Sequence, residues 1–159
     1  MSAANIRSAT PADIAAIFAL MYELAEFEKL THLFIATKEG VHDALFGARP
    51  SAEALVAELE GEVVGYALFF HNFSTFLGKR GLYLEDIYIR PTLRGSGLGT
   101  LMLKKLAALA VERQCGRFEW SVLDWNQNAI DFYEKMGATV LPDWRIVRVT
   151  GEPLERLAS

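Results

Sequence analysis

The stretch RPTLRGSGLG, residues 90–99, places three glycines within five residues and lies between two apolar segments. The segment before it, LYLEDIYI (82–89), is typical of a buried strand, and the one after it, TLMLKKLAALAV (100–111), is typical of a helix. Glycine allows the backbone to approach a ligand without a Cβ. Helix N-termini offer unpaired N–H groups and the positive end of the helix dipole. The order strand, glycine turn, helix therefore predicts a phosphate-binding site, with Arg94 as an additional charged donor.

The spacing of these glycines excludes two common phosphate-binding motifs. The order is R-G-x-G-x-G, which is not the G-x-G-x-x-G of dinucleotide-binding folds. No Lys-Ser or Lys-Thr pair follows, so the P-loop is excluded as well. A flexible turn with incidental glycines is the alternative interpretation of the segment.

Composition limits the class of protein. The chain has 159 residues, 52% of them hydrophobic and 23% charged, so we expect one domain over 1–159 with a substantial core. No apolar run reaches the length of a membrane span, the first ten residues lack a secretory leader, and Cys115 is the only cysteine. We therefore expect a cytoplasmic protein without membrane contacts. The net charge of −4 does not favour nucleic acid as a partner.

The pattern along the chain predicts a mixed α/β domain in the order β-α-α-β-β-β-α-β-α-β-β. Thr10, Pro11 and Asp13 form a capping-box-like helix start, and Thr37 is expected to cap a second helix. The predicted strands are 5–9, 53–59, 63–73, 82–90, 116–123, 139–141 and 145–150. The predicted helices are 10–27, 38–46, 97–113, 126–137 and a C-terminal tail.

Arg94 to Gly99 fill the pattern Q/R-x-x-G-x-G/A at every position, and the chain therefore resembles the GNAT acetyltransferase superfamily. LYLEDIYIRP before the glycines and VLDWNQNAIDFYEKMGA after them are similar to its spermidine/spermine acetyltransferase branch. The resemblance covers nearly the whole chain and is firmest at 82–105 and 120–138. It implies one GNAT-like domain with a mixed, mostly antiparallel sheet and helices on both faces. It also implies transfer of an acetyl group from acetyl-CoA to a polyamine, a diamine or a thialysine-like amino acid.

The resemblance also implies which residues bind acetyl-CoA. The glycine segment and the residue after it would hold the pyrophosphate, and the backbone of the preceding strand would pair with the pantetheine amides. Asn126 would cap its helix near the pantetheine arm, although a simple N-cap accounts for it equally well. The implied set is Ile87, Tyr88, Ile89, Arg94, Gly95, Ser96, Gly97, Leu98, Gly99, Thr100, Asn126, Ala129 and Tyr133.

Two adjacent acids, Glu85 and Asp86, interrupt an otherwise apolar strand. Buried carboxylates are costly unless they are paired or used in chemistry. Strand alternation predicts that the two side chains lie on opposite faces of the sheet. A structural ion pair or a capped sheet end is the alternative for either acid, and the resemblance favours Glu85 as the group that helps to deprotonate the amine.

Tyr133 lies on the predicted helix that starts near Asn126. The apolar residues around it make a core position the simplest interpretation from periodicity alone. The resemblance instead implies that Tyr133 is the general acid that protonates the departing thiolate.

Three residues are implied to contact the acceptor: Phe27, Glu28 and Trp144. A solvated helix end is the alternative for Glu28, and a buried tryptophan at a strand entry is the alternative for Trp144. Thr31 and His32 stand where polyamine acetyltransferases carry further acids, so the identity of the amine stays open. The three histidines, His32, His42 and His71, lack metal-ligand spacing, and no metal is expected. Cys115 lacks a histidine partner for nucleophilic catalysis.

Two other functions remain open at this point: a catalytically silent acetyl-CoA sensor, and an acetyltransferase for protein or peptide amines. The resemblance also implies a homodimer with the C-terminal segment RIVRVTGEPLERLAS (145–159) at its interface. That segment alternates in the manner of an edge strand, which can pair with a second chain or within its own sheet.

Overall fold

The computed structural model describes residues 4–159, which form two compact units divided between Ser121 and Val122. The strands of the first unit are Ala4–Ser8 (β1), Glu53–Leu59 (β2), Glu62–Ser74 (β3), Lys79–Ile89 (β4) and Phe118–Trp120 (β5). Its α-helices are Ile14–Phe27 (α1), Lys38–Phe46 (α2) and Leu98–Glu112 (α3). The second unit contains Gln127–Lys135 (α4) and Gly151–Ala158 (α5).

One five-stranded sheet, in the order β1-β2-β3-β4-β5, organises the first unit. The pairs from β1 to β4 are antiparallel, and β5 runs parallel to β4. The glycine segment and α3 supply the crossover connection that parallel neighbours need. The predicted fold class, a mixed and mostly antiparallel sheet, is confirmed.

Helices cover both faces of this sheet. Leu55, Val56 and Ala57 are all buried although consecutive side chains of a strand point to opposite faces. Helices α1 and α2 form a core with Val56 and Tyr66 on one face. Helix α3 contacts β1, β2 and β4, and its Met102 and Leu106 are fully buried.

The helix starts that the sequence predicts are present. The N–H of Thr10 donates to Asp13 Oδ2 at 2.7 Å, as a capping box requires, and a short 3-10 turn leads into α1. The N–H of Gly40 donates to Thr37 Oγ1 at 3.0 Å at the start of α2. These caps form as predicted because they depend on residues only three positions apart.

A bulge in β4 interrupts the alternation on which the expectation for Glu85 and Asp86 depends. Leu68 of β3 pairs with Asp86, and the next residue, Phe69, pairs with Leu84, so Glu85 is an extra residue without a partner on β3. Such a bulge interrupts the strict alternation of side chains. Asp86 therefore shares the α1–α2 face with Leu68, which packs against the core on that side.

Strand β5 is shorter than predicted. It comprises Phe118–Trp120 and pairs with β4 only at Leu82, Tyr83 and Leu84. From residue 85 to residue 89, β4 has no strand on that side within residues 4–159. The sheet therefore opens at the bulge.

The predicted strands 139–141 and 145–150 are wrong. Residues 138–150 contain no strand, and Ile146 and Val147 are exposed. Alternating apolar residues make a segment able to form a strand, but a strand also needs a neighbour for its N–H and C=O groups. Only the C-terminal helix, α5, forms as predicted.

Asp13 should stabilise the fold in a pH-dependent way. It is buried and accepts hydrogen bonds from Arg7 Nη1 at 2.8 Å and Nη2 at 3.0 Å. The hydrogen bond from Arg7 holds the pKa of the Asp13 carboxyl below its usual range. A lowered pKa stabilises the fold above the unfolded-state pKa, and this contribution disappears as the pH falls through the folded-state pKa. We expect Asp13→Ala to lower the free energy of unfolding by about 2 kcal/mol at pH 7 and by less at pH 3. Urea unfolding at both pH values tests this, and an equal loss at both would contradict it.

Candidate active site

Two glycines of the glycine segment adopt a left-handed backbone conformation. Gly95 and Gly97 have φ of 84° and 88°, in the left-handed region that favours glycine, and Gly97 is the N-cap of α3. A Cβ placed at Gly95, Gly97 or Gly99 would meet no atom within 4 Å, so this side of the segment faces open space. The segment therefore leaves its backbone uncovered on that side, and the N–H of Leu98 at the start of α3 donates to Ser96 Oγ at 3.4 Å.

Arg94 connects this segment to the end of α1. Its guanidinium carbon lies 4.6 Å from the centre of the Phe27 ring, a cation–π geometry. The structure thus brings together a residue predicted to bind the coenzyme and one predicted to contact the acceptor. No sequence pattern indicated this pairing, because the two residues lie far apart along the chain.

The end of β4 has no neighbouring strand on the β5 side within residues 4–159. This part of β4 contains the residues expected to bind the pantetheine arm, Ile87, Tyr88 and Ile89. On their other side they pair with Ala67, Tyr66 and Gly65. The Tyr88 side chain is buried, and its hydroxyl donates to Glu23 Oε1 at 3.2 Å. An unpaired strand edge of this length can accept an extended ligand that carries amides.

A pocket of about 410 Å³ lies between the end of α1, the α1–α2 connection and β4. Its lining is mostly apolar and contains two acids, Glu28 and Asp86. Burial and then the charge of Asp86 raise the pKa of the Glu28 carboxyl. The lining residues are Met21, Leu24, Ala25, Glu28, Leu30, Leu33, Phe34, Ile35, Ala36 and Asp86.

Asp86 is the more buried acid of the Glu85–Asp86 pair. The hydroxyl of Tyr66, which has no exposed surface, donates to Asp86 Oδ2 at 3.0 Å. Burial raises the pKa of the Asp86 carboxyl, the hydrogen bond from Tyr66 lowers it, and the charge of Glu85 raises it, with a net increase. The sequence did not assign a role to Asp86 or Tyr66. The only signal was a second acid in an apolar strand.

Glu85 is exposed and occupies the bulge. Its side chain forms no hydrogen bond or ion pair with any of residues 4–159. Glu85, the acid that the sequence favours, is therefore accessible, whereas a hydrogen bond holds Asp86 in place.

In the second unit, α4 starts where the sequence predicts. The Oδ1 of Asn126 accepts from the N–H of Ala129 at 3.3 Å, so the N-cap role of Asn126 is present. Tyr133 lies in the last turn of α4, half-buried, with its ring centre 5.6 Å from that of Phe132. Gly137, with φ of 100°, ends the helix. A half-buried phenol is less enclosed than the core position that periodicity alone suggested.

Trp144 is not the buried strand residue that the alternative interpretation proposed. Its side chain is 79% exposed and lies outside any helix or strand. Its position therefore favours neither a packing role nor a particular partner within the second unit.

Within residues 4–159, no group of three or more His, Cys, Asp or Glu side chains is placed to hold a metal ion. No helix in the same range is long and apolar enough to cross a membrane.

Comparison with known families identifies the class of protein that this fold and glycine segment define. The model of the acetyltransferase (GNAT) family matches residues 16–138. The chain therefore belongs to the GNAT family and is an N-acetyltransferase, which confirms the family expected from the sequence. The match includes β4, the glycine segment, α3 and α4.

Individual relatives cover nearly the whole chain. A thialysine N-epsilon-acetyltransferase of Mus musculus is 40% identical over 100% of this chain and 99% of its own length. An L-ornithine N5-acetyltransferase of Arabidopsis thaliana is 37% identical over 96% of this chain and 87% of its own length. A solved integron cassette protein from the mobile metagenome of V. cholerae superposes with a TM-score of 0.81 at 22% identity. The superposition covers 98% of this chain and 97% of the integron cassette protein, and it shows that the two chains share a fold.

Gly99→Ala should separate the stability of α3 from ligand binding at its N-terminus. Gly99 has no positive φ, so alanine causes no backbone strain there. Alanine in a helix is favoured over glycine by up to about 1 kcal/mol, and we expect a higher melting temperature. The added methyl group occupies the open space before the helix, and we expect acetyl-CoA to bind about tenfold more weakly. Calorimetric titration and thermal unfolding measure the two effects. Unchanged affinity would contradict the assignment of this segment.

Proposed function

We propose that this chain transfers the acetyl group of acetyl-CoA to a primary amine of a small polyamine, diamine or thialysine-like amino acid. The observation that carries the proposal is the end-to-end likeness to enzymes whose names give small amines as acceptors. We also propose that residues 1–159 act as one acetyltransferase domain. The family match at 16–138 supports this, because it continues across the boundary between the two units.

The coenzyme would be held by the residues that the sequence predicts. The N–H groups of the segment from Arg94 to Thr100 would bind the pyrophosphate, supported by the open space before the three glycines. The backbone of Ile87, Tyr88 and Ile89 would pair with the pantetheine amides, supported by the unpaired edge of β4. Asn126 and Ala129 would hold the start of α4 near the pantetheine arm.

Glu85 would accept the proton of the acceptor, directly or through water. An alkyl ammonium has a pKa near 10.4, so its deprotonation at pH 7 costs roughly 4 to 5 kcal/mol. The carboxylate takes one proton from the ammonium, and the freed lone pair attacks the carbonyl carbon of the thioester. The C–N bond forms and the C–S bond breaks within one ternary complex. The exposure of Glu85 and its lack of a bonded partner within residues 4–159 support this role.

Tyr133 would donate its phenolic proton to the departing thiolate, and the phenolate would then recover a proton from the new amide nitrogen or from solvent. The thiolate needs a donor that carries a proton, and a phenolic O–H is such a donor. Its half-buried position in the last turn of α4 supports the assignment, because a fully buried phenol could not reach a substrate.

The acceptor would contact Phe27, Glu28 and Trp144. The pocket beside Glu28 supports a cationic acceptor, because its lining holds two carboxyls and no Lys or Arg. Its apolar walls suit the methylene chain of a diamine or lysine analogue. No metal takes part in this proposal.

A thiol-release assay with acetyl-CoA tests the function. The panel contains spermidine, spermine, putrescine, thialysine, ornithine, lysine and several peptides. We expect turnover with at least one free amine and none with peptides. Turnover on peptides alone would replace the proposal with a protein acetyltransferase. Bound acetyl-CoA without turnover on any amine would favour a sensor.

Tyr133→Phe should lower kcat by about a hundredfold, the usual size of a general-acid contribution, and leave the Kd of acetyl-CoA within twofold. The matched control is Phe132→Leu, which changes the neighbouring ring and leaves the phenol. Steady-state kinetics and calorimetry measure both variants. A Tyr133→Phe enzyme with the wild-type kcat would show that another group is the acid.

We further propose that the protein is cytoplasmic and homodimeric and that it uses neither a membrane nor a nucleic acid. A single cysteine supports a reducing compartment. The unpaired apolar residues of 138–150, with Val147 95% exposed, support pairing with a second copy. Light scattering should give twice the mass of the chain, and Val147→Lys should shift it to a monomer. A monomeric wild-type protein at micromolar concentration would contradict the dimer.

A further inference from the structure

The bulge gives the two acids of β4 different surroundings. Glu85 is accessible and forms no bond within residues 4–159, whereas Asp86 is held inside the pocket by Tyr66. Precise placement of a substrate needs a side chain whose own position is fixed by packing and hydrogen bonds. Of the two acids, only Asp86 meets this condition.

The hydrogen bond from Tyr66 also determines which oxygen of Asp86 is available. The hydroxyl binds Oδ2, and no group within residues 4–159 hydrogen-bonds Oδ1. No buried side-chain oxygen or nitrogen lacks a partner in that range, so Oδ1 keeps accessible surface. Asp86 lines the pocket, and Oδ1 is therefore its acceptor for a ligand there.

Tyr66 is a permanent donor in this pair. Burial and the neighbouring charge of Asp86 raise the pKa of the Tyr66 hydroxyl far above neutral pH. It therefore stays protonated whenever Asp86 is ionised, and its hydrogen bond stabilises the ionised carboxylate. Removing the hydroxyl leaves burial as the main influence on the pKa of Asp86, which should then rise further.

The groups that interact electrostatically with Asp86 are two acids and a phenol: Glu28 of α1, Tyr66 of β3 and Glu85 of β4. Farther along the same face, the Tyr88 hydroxyl donates to Glu23, and Arg90 pairs with Glu23 at 3.6 Å rather than with Asp86. The α1–α2 connection contributes only apolar side chains to the pocket lining. Two carboxyls in an apolar pocket without a neutralising Lys or Arg favour a ligand that brings its own positive charge.

We propose that Asp86 contacts the ammonium group of the acceptor through Oδ1, and that Tyr66 is a positioning residue that orients this carboxylate. The inference rests on the proposed amine acetyltransfer and adds two residues to it. Tyr66 acts through Asp86 and does not itself contact the substrate.

A binding experiment tests the pair without turnover. The chain is labelled with ¹³C at its aspartate carboxyls and titrated by NMR, and Asp86→Asn identifies the Asp86 signal by its loss. We expect Tyr66→Phe to raise the pKa of Asp86 by roughly one. We expect saturating spermidine or thialysine to lower the same pKa in the wild-type chain. The matched control is Tyr83→Phe, which removes a phenol on β4 that bonds Ser121 at 2.9 Å, outside the pocket.

Kinetics test the consequence for the reaction. In Tyr66→Phe, the acid limb of kcat/KM for the amine should move to higher pH by the same amount as the Asp86 pKa. On the acid side of the pH profile, kcat/KM of Tyr66→Phe should be about tenfold below that of the wild type, and it should reach the wild-type value at alkaline pH. Asp86→Asn should lower kcat/KM for the amine about a hundredfold at every pH, with the Kd of acetyl-CoA within twofold of wild type. Tyr83→Phe should match the wild type.

Three results would each overturn the proposal. The first is an Asp86 signal that is unaffected by both Tyr66→Phe and the amines. The second is a Tyr66→Phe loss of equal size at every pH, which would mean a purely structural role. The third is an Asp86→Asn enzyme within threefold of wild type. In a fourth outcome, the wild-type chain turns over no amine while the pKa of Asp86 still responds to Tyr66→Phe and to spermidine. That result would reject the proposed acetyl transfer and support the contact between Asp86 and the ammonium group.

Discussion

Unequal hydrogen bonding along the two edges of β4 is the constraint on which the rest of the structure depends. Its edge toward β3 is paired from Lys79 to Ile89 except at Glu85, whereas its edge toward β5 is paired at only three residues. The bulge at Glu85 lies where the second edge becomes unpaired. A strand held on one side can keep its shape while its other side stays available to a ligand backbone. The glycine segment follows at once, so the open edge and the helix N-terminus come from consecutive residues.

The acids of the first unit differ in whether a cationic side chain pairs with them. Asp13 is matched by the guanidinium of Arg7, and the pKa of its carboxyl is lowered. Asp86 and Glu28 have no such partner in the pocket lining, and the pKa of each carboxyl is raised. Matched charges serve stability, whereas unmatched charges in a pocket are typical of function. This contrast supports the proposal that the acceptor binds in the pocket beside the α1–α2 connection.

Local signals in the sequence account for most of the correct predictions. The helix caps at Thr10, Thr37 and Asn126 form because each depends on a side chain and a backbone group three residues away. The strands predicted after Gly137 are wrong because pairing is not local. Their pattern was correct for a strand, but the structure places no neighbour beside them within residues 4–159.

The sequence by itself determined the family, the order of elements up to α4 and the glycine segment, since each depends on residue type at short spacing. The tertiary structure alone decided which acid of the Glu85–Asp86 pair is held in the pocket. One inserted residue in the register of β3 and β4 changes the face that a side chain occupies, and no local pattern marks that insertion. The contacts between Tyr66 and Asp86 and between Arg94 and Phe27 were likewise decided by folding, because they join residues that only the sheet and helix packing bring together.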